Sequence, residues 1–148
     1  MRIRDLMTEK GKLACVTSVA FLPEVAQRMQ EADTGVIPVL DAQHPDKLVG
    51  IITDRDIAVR AVAKGVDLKN AKVQDFMTQD VNCISPDVDT LDAARLMAEK
   101  QLHRLCVVDN EKLVGILSLG DLAETEIDRA EHALKGISHG AKVEQKKQ

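Results

Sequence analysis

The sequence predicts an α+β fold built from two copies of a β-α-β-β-α unit that share one hydrophobic core. Two observations lead to this prediction. The segment KLVGIITDRDIA, residues 47–58, returns as KLVGILSLGDLA, residues 112–123. Around each segment, short apolar runs typical of strands alternate with helical periodicity in the same order. Because the chain has only 148 residues, neither copy is large enough to be secure alone, and the two are expected to pack together.

The first copy is predicted to contain three strands and two helices. In chain order these are a strand at 14–19, a helix at 23–32, strands at 36–40 and 48–53, and a helix at 54–64. A proline in the first turn favours the first helix, and Gly65 ends the second one. Pro38 favours an edge position or a strand start for the second strand, because proline cannot donate a ladder hydrogen bond.

The second copy repeats this order with small changes in loop length. Its elements are a strand near 82–85, a helix at 91–100, strands at 105–109 and 113–118, and a helix from 119 to about 135. We place the first copy at 1–65, a polar linker at 66–72, the second copy at 73–135 and a polar, disordered tail at 136–148. Cys15 aligns with Cys83, Met29 aligns with Met97, and the opening IRDLMT aligns with VQDFMT. Length differences that fall only in loops are typical of a real duplication.

Composition and charge exclude several classes of function. With a net charge of −4, the chain has no basic field for DNA or for an anionic membrane, and it has no Trp or Tyr to stack on bases. The opening MRIRDLMTEK lacks the apolar core of a signal peptide, and no apolar run is long enough to span a bilayer. The three cysteines lack CxxC spacing, which favours a reducing cytoplasm over a disulfide framework or a zinc site.

The sequence contains no recognisable catalytic or metal-binding constellation. It has no Ser-His-Asp or Cys-His signature, and its four histidines lack the spacing of metal ligands, so we expect neither an enzyme nor a metal protein. Cys15 and Cys83 occupy matching positions in the two copies. We expect buried, inert thiols there, with a redox switch as the alternative if the fold brings the two together.

Each copy carries a hydroxyl residue and an aspartate at the start of its last helix. The pairs are Thr53 with Asp56, and Ser118 with Asp121. One interpretation is a capping box, in which each side chain bonds the backbone N–H of the other residue. The other is a ligand site, because a carboxylate accepts hydroxyl donors and a helix start favours an anion. The four residues leave both interpretations open.

Three sequence marks occur in both copies in the same order. The first copy has IRDLMT, IPVLD and LVGIITDRDI, and the second has VQDFMT, HRLCVVD and LVGILSLGDL. With these marks the chain resembles, over roughly residues 2–125, a tandem pair of CBS domains. Because the sequence contains little else, it resembles a stand-alone pair rather than the regulatory part of an enzyme.

The resemblance implies two repeats related by a pseudo-twofold axis, packed through their sheets and assembled as a homodimer. The cleft between the repeats is expected to bind an adenine nucleotide or another adenosine derivative, such as AMP, ADP, ATP, S-adenosylmethionine or NAD, with no cofactor required. Binding would regulate an unidentified partner protein, and the module would perform no chemistry itself. The alternative is a structural or interaction protein that has lost nucleotide binding and acts through homodimerisation.

The resemblance also implies roles for particular residues. In nucleotide-binding members of the family, the aspartate of each turn accepts hydrogen bonds from ribose hydroxyls, and the Thr or Ser lies near the ribose or phosphate. These roles fall on Asp56 with Thr53, and on Asp121 with Ser118.

A His-Arg pair, His103 and Arg104, precedes the second-copy strand LCVVD. In one nucleotide-sensing member of the family, such a pair reaches phosphates, which suits the planar donors of arginine. The half of the site with this pair is therefore expected to prefer a phosphorylated ligand. Because the first copy has Thr34 and Gly35 there, Arg104 is expected on one side only.

Each ligand site is expected, by the resemblance, to combine residues of both repeats. The expected groups are Asp56 with His103, Arg104 and Leu105; Asp121 with Thr34, Gly35, Val36 and Ile37; and Ala14 and Asn82 as parts of the adenine walls. The chain departs from the family pattern at Cys106, which replaces a proline. The first copy also lacks the Ser-Pro that the second has at Ser85 and Pro86.

Overall fold

The computed structural model describes residues 1–125, which form helices packed on two β-sheets. In chain order, the strands are β1 (Thr8–Glu9), β2 (Val16–Thr17), β3 (Val36–Leu40), β4 (Leu48–Thr53), β5 (Cys83–Ile84), β6 (Arg104–Asp109) and β7 (Lys112–Ser118). The helices are α1 (Leu22–Ala32), α2 (Asp54–Asp56, continued by the π-helical Ile57–Val62), α3 (Thr90–Lys100) and α4, which begins at residue 119 and is described to residue 125. The predicted α+β class is confirmed. The tail at 136–148 and the predicted end of the last helix lie outside the described residues.

The first strand of each copy is shorter than the sequence predicts. β2 pairs in parallel with the end of β3, and the N–H of Ser18 still bonds the carbonyl of Leu40 at 2.8 Å. The chain then turns, because the N–H of Ala20 bonds the carbonyl of Thr17 at 3.0 Å. The strand predicted at 14–19 therefore ends early. By contrast, β3 and β4 begin and end where their apolar runs predict.

β3 is the central strand of the sheet β2-β3-β4 and Pro38 is its third residue, so neither the edge position nor the strand start predicted from this proline is found. Pro38 lies opposite Ile51 on β4, and the N–H and carbonyl of Ile51 both bond Thr78 instead, at 2.9 Å. On the other side of β3, pairing with β2 begins only at Val39. A central proline is tolerated because neither neighbouring strand requires its missing N–H.

The segment that opens each copy packs on the sheet of the other copy. β1, from the first copy, pairs antiparallel with β7 in the sheet β1-β7-β6-β5, and Thr78 of the second copy forms an antiparallel bridge with Ile51 on β4. The cores follow the same exchange, because Ile3 is fully buried in the second core and Val73 in the first. The two copies are therefore interlocked through their opening segments.

This exchange explains the glycine inside each LVG segment. A β-carbon at Gly115 would lie 2.5 Å from the backbone oxygen of Thr8. A β-carbon at Gly50 would lie 2.5 Å from the sulfur of Met77 and 3.0 Å from the backbone oxygen of Thr78. At Gly115 the contact is with backbone, so glycine is required where the crossing segment passes over the strand, whereas at Gly50 the side chain of Met77 would have to move. The Met-Thr dipeptide of each copy therefore packs against the LVG segment of the other copy.

A third apolar cluster lies between the two sheets. Its buried members come from β3, β6 and β7 and are Leu40, Cys106, Leu113 and Ile116. Since the cluster draws on both copies, the sheets face each other, as expected for two repeats related by a pseudo-twofold axis. Any space left between the sheets is lined by residues of both copies.

Candidate functional site

Both hydroxyl–aspartate turns are capping boxes. In the first copy, the N–H of Asp56 donates to Thr53 Oγ1 and the N–H of Thr53 donates to Asp56 Oδ2, both at 3.0 Å. In the second copy, the corresponding bonds between Ser118 and Asp121 are 3.0 and 2.9 Å long. The capping interpretation is confirmed at both turns. Because each box uses only Oδ2 of the aspartate, the second carboxylate oxygen, Oδ1, is not engaged in the cap.

The two aspartates differ in what surrounds Oδ1. At Asp56, whose side chain is 17% exposed, Arg60 Nε lies 3.6 Å from Oδ1. The same guanidinium donates from NH1 to the backbone carbonyl of Phe76, 3.2 Å away, in the opening segment of the second copy. In the second copy, the position of Arg60 is taken by Thr125, whose hydroxyl donates to the Asp121 carbonyl at 3.1 Å. Within residues 1–125, Asp121 has no ion pair, so its Oδ1 is the more available acceptor.

The β-ladders place each turn beside the strand start of its own copy. Ser118 lies opposite Arg104 in the pairing of β6 with β7, and Thr53 lies opposite Val36 in the pairing of β3 with β4. The sheets therefore group Asp121 with Arg104, whereas the sequence prediction grouped Arg104 with Asp56. Arg104 reaches the first copy through the space between the sheets instead.

Two cavities occupy pseudo-equivalent places between the sheets. Cavity A, of about 180 Å³, is lined by Lys12, Leu13, Ala14, Ala32, Thr34, Val36, Pro38, Arg104 and Ile116. Cavity B, of about 170 Å³, is lined by Ile51, Thr78, Asp80, Val81, Asn82, Leu102, Arg104, Cys106 and Ile116. Each cavity thus takes one wall from the strand starts of one copy and a residue or two from the other copy.

The structure brings five of the predicted site residues to these cavities. Ala14, Thr34 and Val36 line cavity A, and Asn82 and Arg104 line cavity B. Arg104 also lines cavity A, so the expectation that it serves one side only is wrong. Arg104 is the first residue of β6, and it lies where both cavities meet residues of the other copy.

Other predicted residues contribute differently. The side chains of Ile37 and Leu105 are 0% and 1% exposed and belong to the two cores, so they stabilise the sheets and do not line a cleft. The backbone carbonyls of Gly35 and His103 accept the N–H of the first residue of α2 and α4, at 2.9 and 2.8 Å, and so hold the capped turns in place. Within residues 1–125, the four capping-box residues stand at the strand ends, outside the linings of cavities A and B.

Sequence reasoning missed two charged residues that line the cavities. Lys12 lines cavity A and Asp80 lines cavity B. The signal was present in the repeat, because the alignment of Cys15 with Cys83 places Lys12 on Asp80. A comparison of the copies for positions that differ in charge would have found them.

The three cysteine thiols differ in burial, and burial raises the pKa of each. Cys106 is buried between the sheets, and burial raises the pKa of its thiol to about 12. Cys83 is exposed on the edge strand β5 and lies opposite Cys106, so the expectation that it would be buried is wrong. Burial also raises the pKa of the half-buried Cys15 thiol. In the described part of the chain, no group of three or more His, Cys, Asp or Glu side chains could hold a metal ion.

A wider surface hollow, of about 530 Å³, lies between the hairpin turns at residues 43–47 and 110–112. It contains none of the predicted site residues, and its charged groups of both signs include Asp46, which pairs with Lys10 at 3.0 Å. Of the helices in residues 1–125, none is long and apolar enough to cross a membrane.

The structure is a tandem repeat module. It consists of two interlocked β-α-β-β-α units whose sheets face each other, and each unit has a capped turn and a cavity. The model of the CBS domain family matches residues 3–62 and 73–128. The chain therefore belongs to the CBS domain family and contains two CBS domains in tandem, which confirms the resemblance drawn from the sequence.

Known proteins similar to this chain support the same conclusion. The CBS domain-containing protein YhcV of Bacillus subtilis (strain 168) is 37% identical over 139 residues, which cover 93% of this chain and 95% of that protein. The crystal structure of CBSX2 in complex with AMP has a TM-score of 0.75 at 26% identity and covers 87% of this chain and 98% of its own. The CBS domain protein PAE2072 from Pyrobaculum aerophilum, complexed with AMP, has a TM-score of 0.71 at 25% identity, with coverages of 82% and 90%.

Proposed function

We propose that this protein is a regulatory module that binds an adenosine-containing nucleotide between its two CBS domains and signals its presence to a partner protein. The observation that carries the proposal is the pair of cavities A and B, because each joins the strand starts of one copy to residues of the other. A ligand in such a place contacts both copies, so its binding is coupled to their relative position. The module acts by binding and has no catalytic role of its own.

AMP is the ligand with the strongest support, since two similar structures contain it. ADP, ATP, S-adenosylmethionine and NAD share its adenosine part and remain candidates. The apolar lining suits an adenine ring, and the free Oδ1 of a capping aspartate suits the ribose hydroxyls. Each cavity is smaller than the roughly 300–1,000 Å³ of typical small-molecule sites, so a nucleotide would fill it and extend toward the capped turn.

The crossed opening segments offer a route for the signal. Arg60 joins Asp56 to the Phe76 carbonyl, so a ribose that binds Asp56 competes for the residue that holds the second copy's opening segment. The partner would read the resulting shift between the copies. We place this function in the cytoplasm, where free cysteines stay reduced.

Homodimerisation is the second candidate role, either beside nucleotide binding or in place of it. Three apolar side chains are exposed on the helices that follow the capped turns: Val59 is 50% exposed, Val62 is 56% exposed and Leu119 is 44% exposed. Exposed apolar groups on these two helices favour an interface. Sedimentation of the chain with Val62→Asp should yield monomer if this surface forms the dimer, and an unchanged dimer would exclude it.

Titration calorimetry with AMP tests the nucleotide proposal. Asn in place of Asp keeps an oxygen for the cap and removes the charge that a ribose hydroxyl prefers, so Asp121→Asn should weaken AMP about tenfold without unfolding the helix. Asp56→Asn should weaken it less, because Arg60 already occupies that carboxylate. Asp75→Asn, at an exposed position away from both cavities, is the matched control.

Two outcomes would overturn the proposal. If AMP, ATP, S-adenosylmethionine and NAD at millimolar concentration all leave the melting temperature unchanged, the interaction role stands in its place. If AMP binds but keeps its affinity in both aspartate variants, the ribose assignment is wrong.

A further inference from the structure

Cavities A and B carry opposite charges at one equivalent position. Lys12 in cavity A and Asp80 in cavity B occupy the same place in their copies, three residues before the aligned Cys15 and Cys83. Both side chains are exposed at the cavity rims. Within residues 1–125, neither forms a salt bridge, so both charges are free to act on a ligand.

Arg104 belongs to both cavities and sharpens this difference. In cavity A it adds a second positive charge to that of Lys12, and the described lining contains no carboxylate. In cavity B the lining contains Asp80 as well as Arg104, so the positive charge of the arginine is balanced by a negative one. The two cavities are similar in size and apolar lining, so charge is the main property that distinguishes them.

We propose that Lys12 and Asp80 are specificity-determining residues that direct a phosphorylated adenosine ligand to cavity A and an adenosine derivative without a phosphate to cavity B. The inference rests on the proposed function, since it assigns ligand classes to the same cavities. A phosphate near Lys12 and Arg104 gains two charge-assisted partners. A phosphate in cavity B meets a carboxylate, and like-charge contact is an effective means of rejecting a ligand.

The shared arginine also limits occupancy. One guanidinium cannot give its planar fork of donors to phosphates on both sides at once. When a phosphate in cavity A engages Arg104, the guanidinium no longer serves cavity B, and the carboxylate of Asp80 makes that cavity still less favourable for an anion. The chain should therefore bind one AMP, whereas uncharged adenosine should bind both cavities.

The test is titration calorimetry of the full chain with AMP and with adenosine. Lys12→Gln should weaken AMP about tenfold and change adenosine by less than about twofold, because only the phosphate loses a partner. Asp80→Asn should raise the AMP stoichiometry above one per chain. The double exchange Lys12→Asp with Asp80→Lys should restore tight AMP binding by moving it to cavity B.

A matched control distinguishes the effect of a charge that lines cavity A from the effect of a nearby charge outside it. Lys10→Gln removes the same charge from the same short helical turn, Lys10–Lys12, but outside cavity A, and should leave AMP affinity unchanged. The AMP preference of the unmodified chain should also shrink with added salt.

Each remaining result counts against a defined part of the proposal. If AMP binds with the same affinity and stoichiometry in all variants, the charge assignment is overturned and the proposed function survives. Equal weakening of AMP and adenosine by Lys12→Gln would mean a structural role for Lys12 and overturn the assignment as well. If neither AMP nor adenosine binds the unmodified chain, the proposed function fails together with this inference.

Discussion

The hydroxyl–aspartate turns of the two CBS domains have the same hydrogen bonds and different surroundings. Each forms a complete capping box, yet Asp56 has Arg60 beside its free oxygen and Asp121 has Thr125 at the same helical position. Both copies keep the capping box that begins the helix, while the residues beside the two aspartates differ. The copies can therefore be altered separately to test the caps and the neighbours of the aspartates.

The largest expected effect is a loss of stability when the glycine of an LVG segment is replaced, and it should differ between Gly115 and Gly50. Gly115→Ala should lower the free energy of unfolding by about 3 kcal/mol, because the new β-carbon meets the backbone of Thr8, which cannot move aside. Gly50→Ala should cost about 1 kcal/mol, because its nearest neighbour is the flexible side chain of Met77. Urea denaturation measures both, with Gly11→Ala, where the space is open, as the control. A larger loss at Gly50 would contradict this account of the crossing.

The second effect is the loss of stability at high pH caused by Cys106, which takes the place of Pro38 in the second copy. Burial raises the pKa of the Cys106 thiol to about 12 from an ordinary value of 9.0, so the unfolded chain ionises first as the pH rises. The stability from this group is complete below about pH 9 and is lost toward pH 12, by on the order of 2 kcal/mol near pH 11. Cys106→Ala should flatten the alkaline loss of stability most, and Cys83→Ala should flatten it less, because partial burial raises the pKa of the Cys83 thiol too, but not to the extent seen at Cys106. An unaltered pH profile in Cys106→Ala would show that other groups cause the loss.

The third effect tests whether the two caps are equivalent in folding. Thr53→Ala and Ser118→Ala each remove the acceptor for the aspartate N–H, and each should cost about 1 kcal/mol in thermal or urea unfolding. Thr53→Ser and Ser118→Thr retain the hydroxyl and should cost much less. If one alanine variant is neutral and the other is not, the two turns are not equivalent in folding.

The smallest effect isolates Arg60. Its pair with Asp56 is half exposed, so Arg60→Gln should reduce stability by only about 0.3–0.5 kcal/mol, and less in high salt. The corresponding change in the second copy, Thr125→Val, removes no charge and should give a loss that salt does not alter. Unfolding midpoints at low and high salt make the comparison, and equal salt dependence in the two variants would be evidence against the ion pair.

The sequence predicted the parts of the fold that depend on local pattern. β3 and β4 follow from uninterrupted apolar runs, and α1 and α3 follow from helical spacing, with ends within a residue or so of the prediction. The capping boxes were also visible, because they need only residues close in the chain. The central place of Pro38 was not predictable, since it depends on Thr78, far along the chain, taking the hydrogen bonds of Ile51.

The candidate site was predicted less completely for a similar reason. The family pattern pointed to Ala14, Thr34, Val36, Asn82 and Arg104, which do line the cavities. The family pattern does not show which side chains of a strand line the cavity and which belong to the core. Successive side chains alternate between the two, and the choice depends on which face of each sheet meets the other copy. Lys12 and Asp80 lie outside the family motifs, so only the positions of the cavities identify them as lining residues.

The crossing of the opening segments has a consequence for biosynthesis. Among the strands of residues 1–125, β1 is translated first and its partner β7 is translated last. The N-terminal segment must therefore wait, unpaired, while almost the whole of both domains is translated. No isolated domain cut at the linker would contain all of its own sheet and core, so the folding unit of this protein is the pair.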